Sequence, residues 1–333
     1  MKTILLGIAN YCVPCHTHCR HCLLSSCGKI TGVDFDRGLE FGERVFNELV
    51  DERKDIKGNY YIGYCMDTPR LFDYIGFCKR HSLYGARFLQ MNGFKPRKES
   101  EIDILIKSLK NAGIEMIDLT FFGLEDYHDR FAGSKGDFAF LIKMLTSACR
   151  HDLQVSISIP LLRENLPEMT ELRKLLDERG ATKYSYFLPH SKGRGRFLED
   201  QRITKQEFES LPENIRDSFQ KIKHMTEAEW IMSDEITEPQ KRSLTLVLTP
   251  ENIDHFEGMS VSEIINELEI MDVEFLKRMP SVRELAERYG RKGSQQLYRY
   301  KDLLLRWRQE YLREFGISMY DMQDEAHTFS MHM

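Results

Sequence analysis

Hydrophobic positions along this chain switch repeatedly between two periods. Residues 3–9 are an almost unbroken apolar run, the pattern of a strand buried on both faces. Residues 36–55 then place Leu39, Phe46, Leu49 and Val50 at helical spacing. The alternation continues with a strand over 59–64 and a helix over 69–81, then a strand over 86–92 and a helix over 99–112 ended by Gly113. A strand over 114–122 precedes a helix over 137–151, and a strand over 153–159 precedes a helix over 166–179 ended by Gly180. A sixth strand follows at 182–188. Apolar strands separated by amphipathic helices predict an α/β fold, with a parallel sheet and right-handed crossovers. Six βα units form a sheet or an incomplete barrel. Ligands in such folds sit at the C-terminal ends of the strands.

Beyond residue 200 the alternation stops. Residues 205–235 read as helical, 243–249 as a short strand, 260–315 as helical pieces and 321–333 as a tail. The chain therefore divides into a core over 1–200 and a mainly helical extension over 201–333. Charge is uneven as well. The net charge is −5, yet residues 277–313 carry eleven Lys/Arg against four Asp/Glu, a local +7 that leaves −12 elsewhere. Within this stretch Tyr289, Arg291, Lys292, Tyr298, Arg299, Tyr300 and Arg306 form a basic face with aromatics, on a spacing like a helix-turn-helix. Such a face suits an anionic partner such as nucleic acid. In the competing reading Leu285, Leu297, Leu303, Leu304, Trp307 and Tyr311 are core, and the basic residues are a solvated face.

The 333 residues are 41% hydrophobic and 30% charged, as in ordinary globular proteins. No apolar run reaches the length of a membrane span, and the opening MKTILLGIANYC lacks the h-region and cleavage site of a signal peptide. All eight cysteines precede residue 150, and five lie within 12–27, unlike a secreted disulfide framework. These features predict a cytoplasmic protein without a membrane partner.

The densest chemistry is CVPCHTHCRHC, from Cys12 to Cys22. Cys15, Cys19 and Cys22 stand in a CxxxCxxC spacing, and three soft thiolates select iron–sulfur clusters, zinc or copper(I). Cys12 adds a fourth thiol, so a four-cysteine zinc knot, and with it a non-enzymatic interaction module, is an alternative. Three ligands instead of four leave one metal position open for a substrate or cofactor.

The CxxxCxxC motif resembles that of the radical S-adenosylmethionine (SAM) enzymes, and the later loops match over roughly residues 5–200. CMDTP (Cys65–Pro69) stands in the place of a GGEP-like turn, with its glycines absent, Thr68 where an acid is usual and Asp67 beside it. MNG (Met91–Gly93) resembles TNG, and TFFGLEDYHDRFAGSKG keeps Gly123, His128, Asp129, Gly133 and Gly136 of an SLDG…HD..RG..G pattern. Asn165 matches a recurrent Asn, and HSKGRGR (His190–Arg196) resembles a P-x-G-R turn.

The resemblance implies an incomplete (β/α)6 barrel of radical SAM type. It also implies a 4Fe–4S cluster on Cys15, Cys19 and Cys22, with SAM on the open iron. His21, Asp67, Thr68, Asn92, Thr120 and Asn165 would hold SAM, His21 in the place of an aromatic residue that packs on adenine. Reduction by a cellular electron donor would cleave SAM to methionine and a 5′-deoxyadenosyl radical, which abstracts hydrogen from a substrate. That substrate, whether peptide, nucleic acid or small molecule, is not named by the sequence. No cysteine lies beyond 149, so the extension holds none of the auxiliary clusters common in the family. Simpler readings stand beside these roles. Asn165 and Glu168 make a capping-box pattern, His128 and Asp129 suit loop braces, and Cys12, Cys27 and Cys65 have no assigned role.

Overall fold

The computed structural model describes residues 1–26 and 28–317. Cys27 and the tail over 321–333 lie outside the described residues. The predicted alternation is present. Strand β1 (Lys2–Val13) leads to helix α1 (Phe35–Glu52), and β2 (Lys57–Gly63) to α2 (Leu71–Arg80). Strand β3 (Phe88–Gln90) leads to α3 (Glu99–Asn111), and β4 (Met116–Thr120) to α4 (Glu125–Ala132) and α5 (Asp137–Arg150). Strand β5 (Gln154–Pro160) leads to α6 (Met169–Glu178), and β6 (Lys183–Phe187) closes the series. Helix α1 shows why these residues fold so. The Asp34 carboxylate accepts hydrogen bonds from the Asp36 and Arg37 amides and caps the first turn, while Phe41, Val45, Phe46 and Leu49 form the buried stripe. Val50, which the pattern places on that stripe, is turned outward.

The chain continues through a 3₁₀ segment (Gly193–Gln201), α7 (Lys205–Glu209), α8 (Glu213–Arg216), the two-residue β7 (Met225–Thr226) and α9 (Glu227–Met232). Strand β8 (Lys241–Val247), α10 (Ile253–Glu257), α11 (Val261–Leu276), α12 (Val282–Tyr289), β9 (Leu297–Tyr298) and α13 (Tyr300–Phe315) complete it. The helical stretch expected at 205–235 is broken. Thr204 and Thr226 each start a short helix with a capping box, and Pro212 stands between α7 and α8. Nor are α12 and α13 joined by the tight turn of a helix-turn-helix. Residues 290–299 separate them, and β9 within that segment pairs antiparallel with β7.

All the larger strands are parallel, in the orders β2-β1-β8 and β3-β4-β5-β6. One continuous apolar core runs behind both sheets. Strand β8, drawn from beyond residue 200, is thus a seventh parallel strand. Leu6 lies opposite both Gly58 of β2 and Leu244 of β8. A buried ion pair locks this edge, because Arg242 of β8 donates to Asp272 of α11 at 2.9 Å and to the Thr3 hydroxyl of β1 at 3.0 Å.

A smaller apolar cluster joins Trp230, Leu285, Leu303, Leu304 and Trp307. The apolar residues of the basic segment are therefore core, but Arg299, Arg306 and Arg308 are buried and form no solvated face. Carboxylates account for two of them. Arg299 pairs with Asp302 at 2.6 Å, and Arg306 with Glu199 at 3.4 Å and with Glu227.

A fragment ending at residue 200 lacks β8 and leaves the β1 edge unpaired with its apolar side chains uncovered. It should show no cooperative thermal transition by circular dichroism, whereas the full chain melts cooperatively; a sharp melt of the fragment would refute this account of β1.

Candidate functional site

Strand β1 runs without interruption into Cys12 and Val13, so the cysteine motif leaves the sheet at the C-terminal end of its central strand. The loop that follows has no ladder of its own. Its backbone groups are hung on the turn after β3 and on the last turn of α4. The His16 amide donates to the Gly93 carbonyl at 3.0 Å, that of His18 to Ala132 at 2.7 Å and that of Arg20 to Phe131 at 3.0 Å. Arg194, from the segment after β6, grips the other side. Its Nε donates to the Cys19 carbonyl at 2.8 Å, its Nη1 to Ser26 at 2.6 Å and its amide to Cys22 at 2.9 Å.

Within this frame the Cys15 and Cys19 sulfurs both lie on the Thr17 hydroxyl, at 3.2 and 3.4 Å. The neighbouring Cys65 thiol and the Thr17 hydroxyl lower the Cys15 thiol to about 6 despite its burial, while burial pushes Cys19 up to about 12. Cys12 faces the other way. Its sulfur donates to the Ile62 carbonyl of β2 at 3.1 Å, and burial raises its thiol to about 11. Cys65 similarly donates to the Pro14 carbonyl at 3.0 Å. Among the described residues no three His, Cys, Asp or Glu side chains are gathered closely enough for a single metal ion.

His21 is enclosed by three phenylalanines, with ring centroids 4.9 Å from Phe122, 5.7 Å from Phe131 and 6.3 Å from Phe187. Burial, with the Arg194 charge nearby, lowers its imidazole to about 4, so the ring is neutral. The Asp67 carboxylate accepts from the Lys95 amide at 2.8 Å and from the Arg97 guanidinium, with His16 Nε2 at 3.6 Å. The Thr68 hydroxyl accepts from the Arg70 amide at 3.2 Å, ahead of α2. Asn92 bonds both backbone groups of Thr120, accepting from its amide at 2.7 Å and donating to its carbonyl at 3.0 Å, so the segment after β3 is tied to the end of β4.

Asn165 is fully buried and its amide is saturated. It accepts from the Leu162 amide at 2.9 Å and donates to the carbonyls of Phe122 and Pro160 at 2.8 and 2.7 Å. It makes no helix-cap hydrogen bond, and Glu168 serves the Leu124 amide instead. His128 and Asp129 brace their loop. His128 accepts from the Phe122 amide at 3.2 Å and meets the buried Asp137 at 3.0 Å, while Asp129 takes the amides of Gly136 and Phe138.

The structure thus collects Cys15, Cys19, Thr17, Cys65 and Gly93 at one place, His21 beside Phe122, and Asn92, Thr120 and Asn165 around the ends of β4 and β5. Asp67 stands with His16 and Arg97. Sequence reasoning gave no role to Thr17 or Arg194. The hydroxyl midway between the first two cysteines was a signal for the first, and an arginine between two glycines (Gly193 and Gly195) for the second.

No protein-family model matches the chain. It is 27% identical over 183 residues to the antilisterial bacteriocin subtilosin biosynthesis protein AlbA of Bacillus subtilis (strain 168), covering 55% of this chain and 39% of AlbA. Among solved structures it is similar to Streptococcus suis SuiB bound to the precursor peptide SuiA, with a TM-score of 0.50 and 14% identity over 73% of this chain and 58% of SuiB. SuiB bound to S-adenosylmethionine gives the same values. The chain spans less than two thirds of the length of each of these relatives.

Gly93 and Gly136 have the same backbone φ of +83°, but a Cβ on Gly93 would fall on the Cys15 sulfur, whereas one on Gly136 meets nothing within 4 Å. Gly136→Ala should therefore cost about 1 kcal/mol for the positive φ alone. Gly93→Ala should cost about 2 to 3 kcal/mol because the cysteine loop must also move. Equal losses in urea denaturation would show that Gly93 does not position Cys15.

Proposed function

We propose that this chain, which has the fold of the radical SAM enzymes, holds a 4Fe–4S cluster through Cys15, Cys19 and Cys22 and binds SAM beside it. The observation that carries the reading is the division of the four motif thiols. Cys12 is turned to the Ile62 carbonyl, which leaves a three-thiol set on the loop that caps the central strand. That division disfavours the four-cysteine zinc knot, and three thiols that leave one position open suit a cluster.

When bound, cluster and SAM together would supply a 5′-deoxyadenosyl radical for hydrogen-atom abstraction. This chain's residues hold and enclose. Cys15, already inclined to the thiolate, and Cys19 are spaced by Thr17, and Arg194 holds the loop by donating to the carbonyls of Cys19 and Ser26. Neutral His21 and its phenylalanines exclude water on one side. Asn92, Thr120 and Asn165 fix the ends of β4 and β5, while Asp67 and Thr68 fix the turn before α2, and these loops are where SAM is held. A cellular one-electron donor completes the reaction.

A peptide is the proposed substrate class. AlbA is named for bacteriocin biosynthesis, and SuiB was solved with a precursor peptide. No helix among the described residues is long and apolar enough to cross a membrane.

The test is anaerobic reconstitution with iron and sulfide, reduction by dithionite and addition of SAM. 5′-Deoxyadenosine should form, and Cys19→Ala should reduce it to background. A colourless protein that retains stoichiometric zinc and forms no product would overturn the reading.

A further inference from the structure

Parallel strands buried on both faces read as apolar runs, yet in β3 to β6 only one face does. Leu89, Ile117, Leu119, Val155, Ile157 and Ile159 are buried in the apolar core. The opposite face is built of rows that the strand pairing sets side by side. Gln90, Asp118, Ser156 and Lys183 form one row, and Thr120, Ser158 and Ser185 form the next toward the strand ends. Above them Pro160 lies beside Phe187, whose ring stands against His21. The polar rows thus run down from the enclosure of His21, and Ser156, Ser158 and Ser185 are each only half-buried.

A second, independent feature is the carboxylate in their midst. Asp118 is 4% exposed, and no cationic group pairs with it among the described residues. The Ser158 hydroxyl donates to its Oδ1 at 2.8 Å, and Ser156 makes a weaker contact. Oδ2 takes no such bond and is not sealed from solvent. With no counter-charge beside it, burial raises this carboxyl to about 6. Lys183, on the same row, is turned to the Gln154 side chain instead. A carboxylate buried this far is ordinarily paired, so a cation is missing from the face.

We propose that this face binds a basic side chain of the peptide substrate, with its ammonium or guanidinium on Asp118; this rests on the radical SAM reading above and adds a recognition element to it. The count of donors and acceptors sets the sign. Ser158 gives its proton to Asp118, so it offers a ligand only lone pairs, as does Oδ2 of Asp118. Acceptors around a negative charge suit N–H donors that carry a positive one. Position suits a substrate group better than the cofactor. Thr120, assigned above to the SAM side, is one row nearer the strand ends, so Asp118 lies about 7 Å deeper. A basic residue anchored there keeps the adjacent peptide positions at the strand ends, beside the cysteine loop.

The experiment is saturation-transfer difference NMR with the anaerobically reconstituted full chain. The probes are acetyl-Gly-Lys-Gly-amide and its arginine, norleucine and glutamate counterparts, blocked at both ends so that only the side chain differs. The lysine or the arginine peptide should bind, the tighter of the two identifying the side chain, and the norleucine and glutamate peptides should not. Asp118→Asn, which keeps the shape of the residue, should weaken that binding about tenfold or more with an unchanged circular dichroism spectrum. Ser156→Lys, which puts a resident ammonium beside an intact Asp118, should weaken it as much. Asp217→Asn, at an exposed carboxylate off this face, should bind as the parent does. Saturating SAM should leave the peptide bound.

Failure of both basic peptides to bind at millimolar concentration would overturn the proposal, as would equal binding of the norleucine peptide or equal weakening by Asp217→Asn. Displacement of the peptide by SAM would also overturn it, by assigning the carboxylate to the cofactor's own ammonium. Deoxyadenosine formation by the parent protein separates the two claims. Product without peptide binding removes the polar face and leaves the radical reaction, and binding without product does the reverse.

Discussion

A loop with no ladder of its own must still find partners for its backbone, and the rest of the site depends on how the cysteine loop does so. Each buried amide or carbonyl left unpaired would cost on the order of 1–3 kcal/mol. The loop therefore uses what surrounds it, namely the carbonyls of Gly93, Phe131 and Ala132 and the guanidinium of Arg194. The turn after β3, the C-terminal turn of α4 and the segment after β6 are recruited by one requirement. The sulfurs need no direct restraint beyond Thr17, because the backbone that carries them is already held from both sides. Close approach follows from the same demand, and it explains why residue 93 can carry no side chain beside Cys15.

The order of strands and helices was legible in the sequence because burial on a sheet or against a helix is written locally, in the spacing of apolar residues. What the spacing cannot state is which strand lies beside which. The strand at 243–249 was visible, yet nothing in its own residues says that it pairs with β1; that is set by the mate of Arg242 on α11 and by the open edge it covers. Short elements escaped for a related reason. Helix α4 has only eight residues and lies within a motif rich in turn formers, and β3 is trimmed to three by the 3₁₀ turn at Tyr84–Ala86. Within the site, the cysteine spacing singled out Cys15, Cys19 and Cys22 as the expected ligand set. The direction of Cys12 depends on a carbonyl fifty residues away and has no local signature.

Charge was the least legible property. A stretch with a +7 excess reads as an exposed basic face, since long cationic side chains are rarely buried without partners. Here the partners come from far along the chain. Arg306 meets Glu199 and Glu227, separated from it by 107 and 79 residues, while Arg299 finds a near one, Asp302 in the first turn of α13. Summing charge over a window counts both buried and exposed groups, so it overstates the field available to a partner. Buried pairs of this kind are weak evidence for stability, but losing one member leaves the other stranded, so the segment is committed to its packing.

Two asparagines from the motif loops illustrate a further point about how such sites are built. Asn92 and Asn165 have the composition expected of ligand contacts, yet each spends its amide on main-chain groups, Asn92 on Thr120 and Asn165 on Leu162, Pro160 and Phe122. Strand ends open into loops exactly where ladder bonds run out, and an amide with one acceptor and two donor hydrogens can replace several of them at once. Polar residues recurring at strand ends therefore carry a structural duty whether or not they also touch a ligand. The segment after β6 follows the same logic with opposite charge. Arg194 consumes carbonyls of the cysteine loop, and Glu199, a few residues on, takes Arg202, Tyr298 and Arg306. Any displacement of that segment must pull on the carbonyls of Cys19 and Ser26. The segment after β6 thus ties the cysteine loop, through Arg194, to the buried charges of α13, through Glu199.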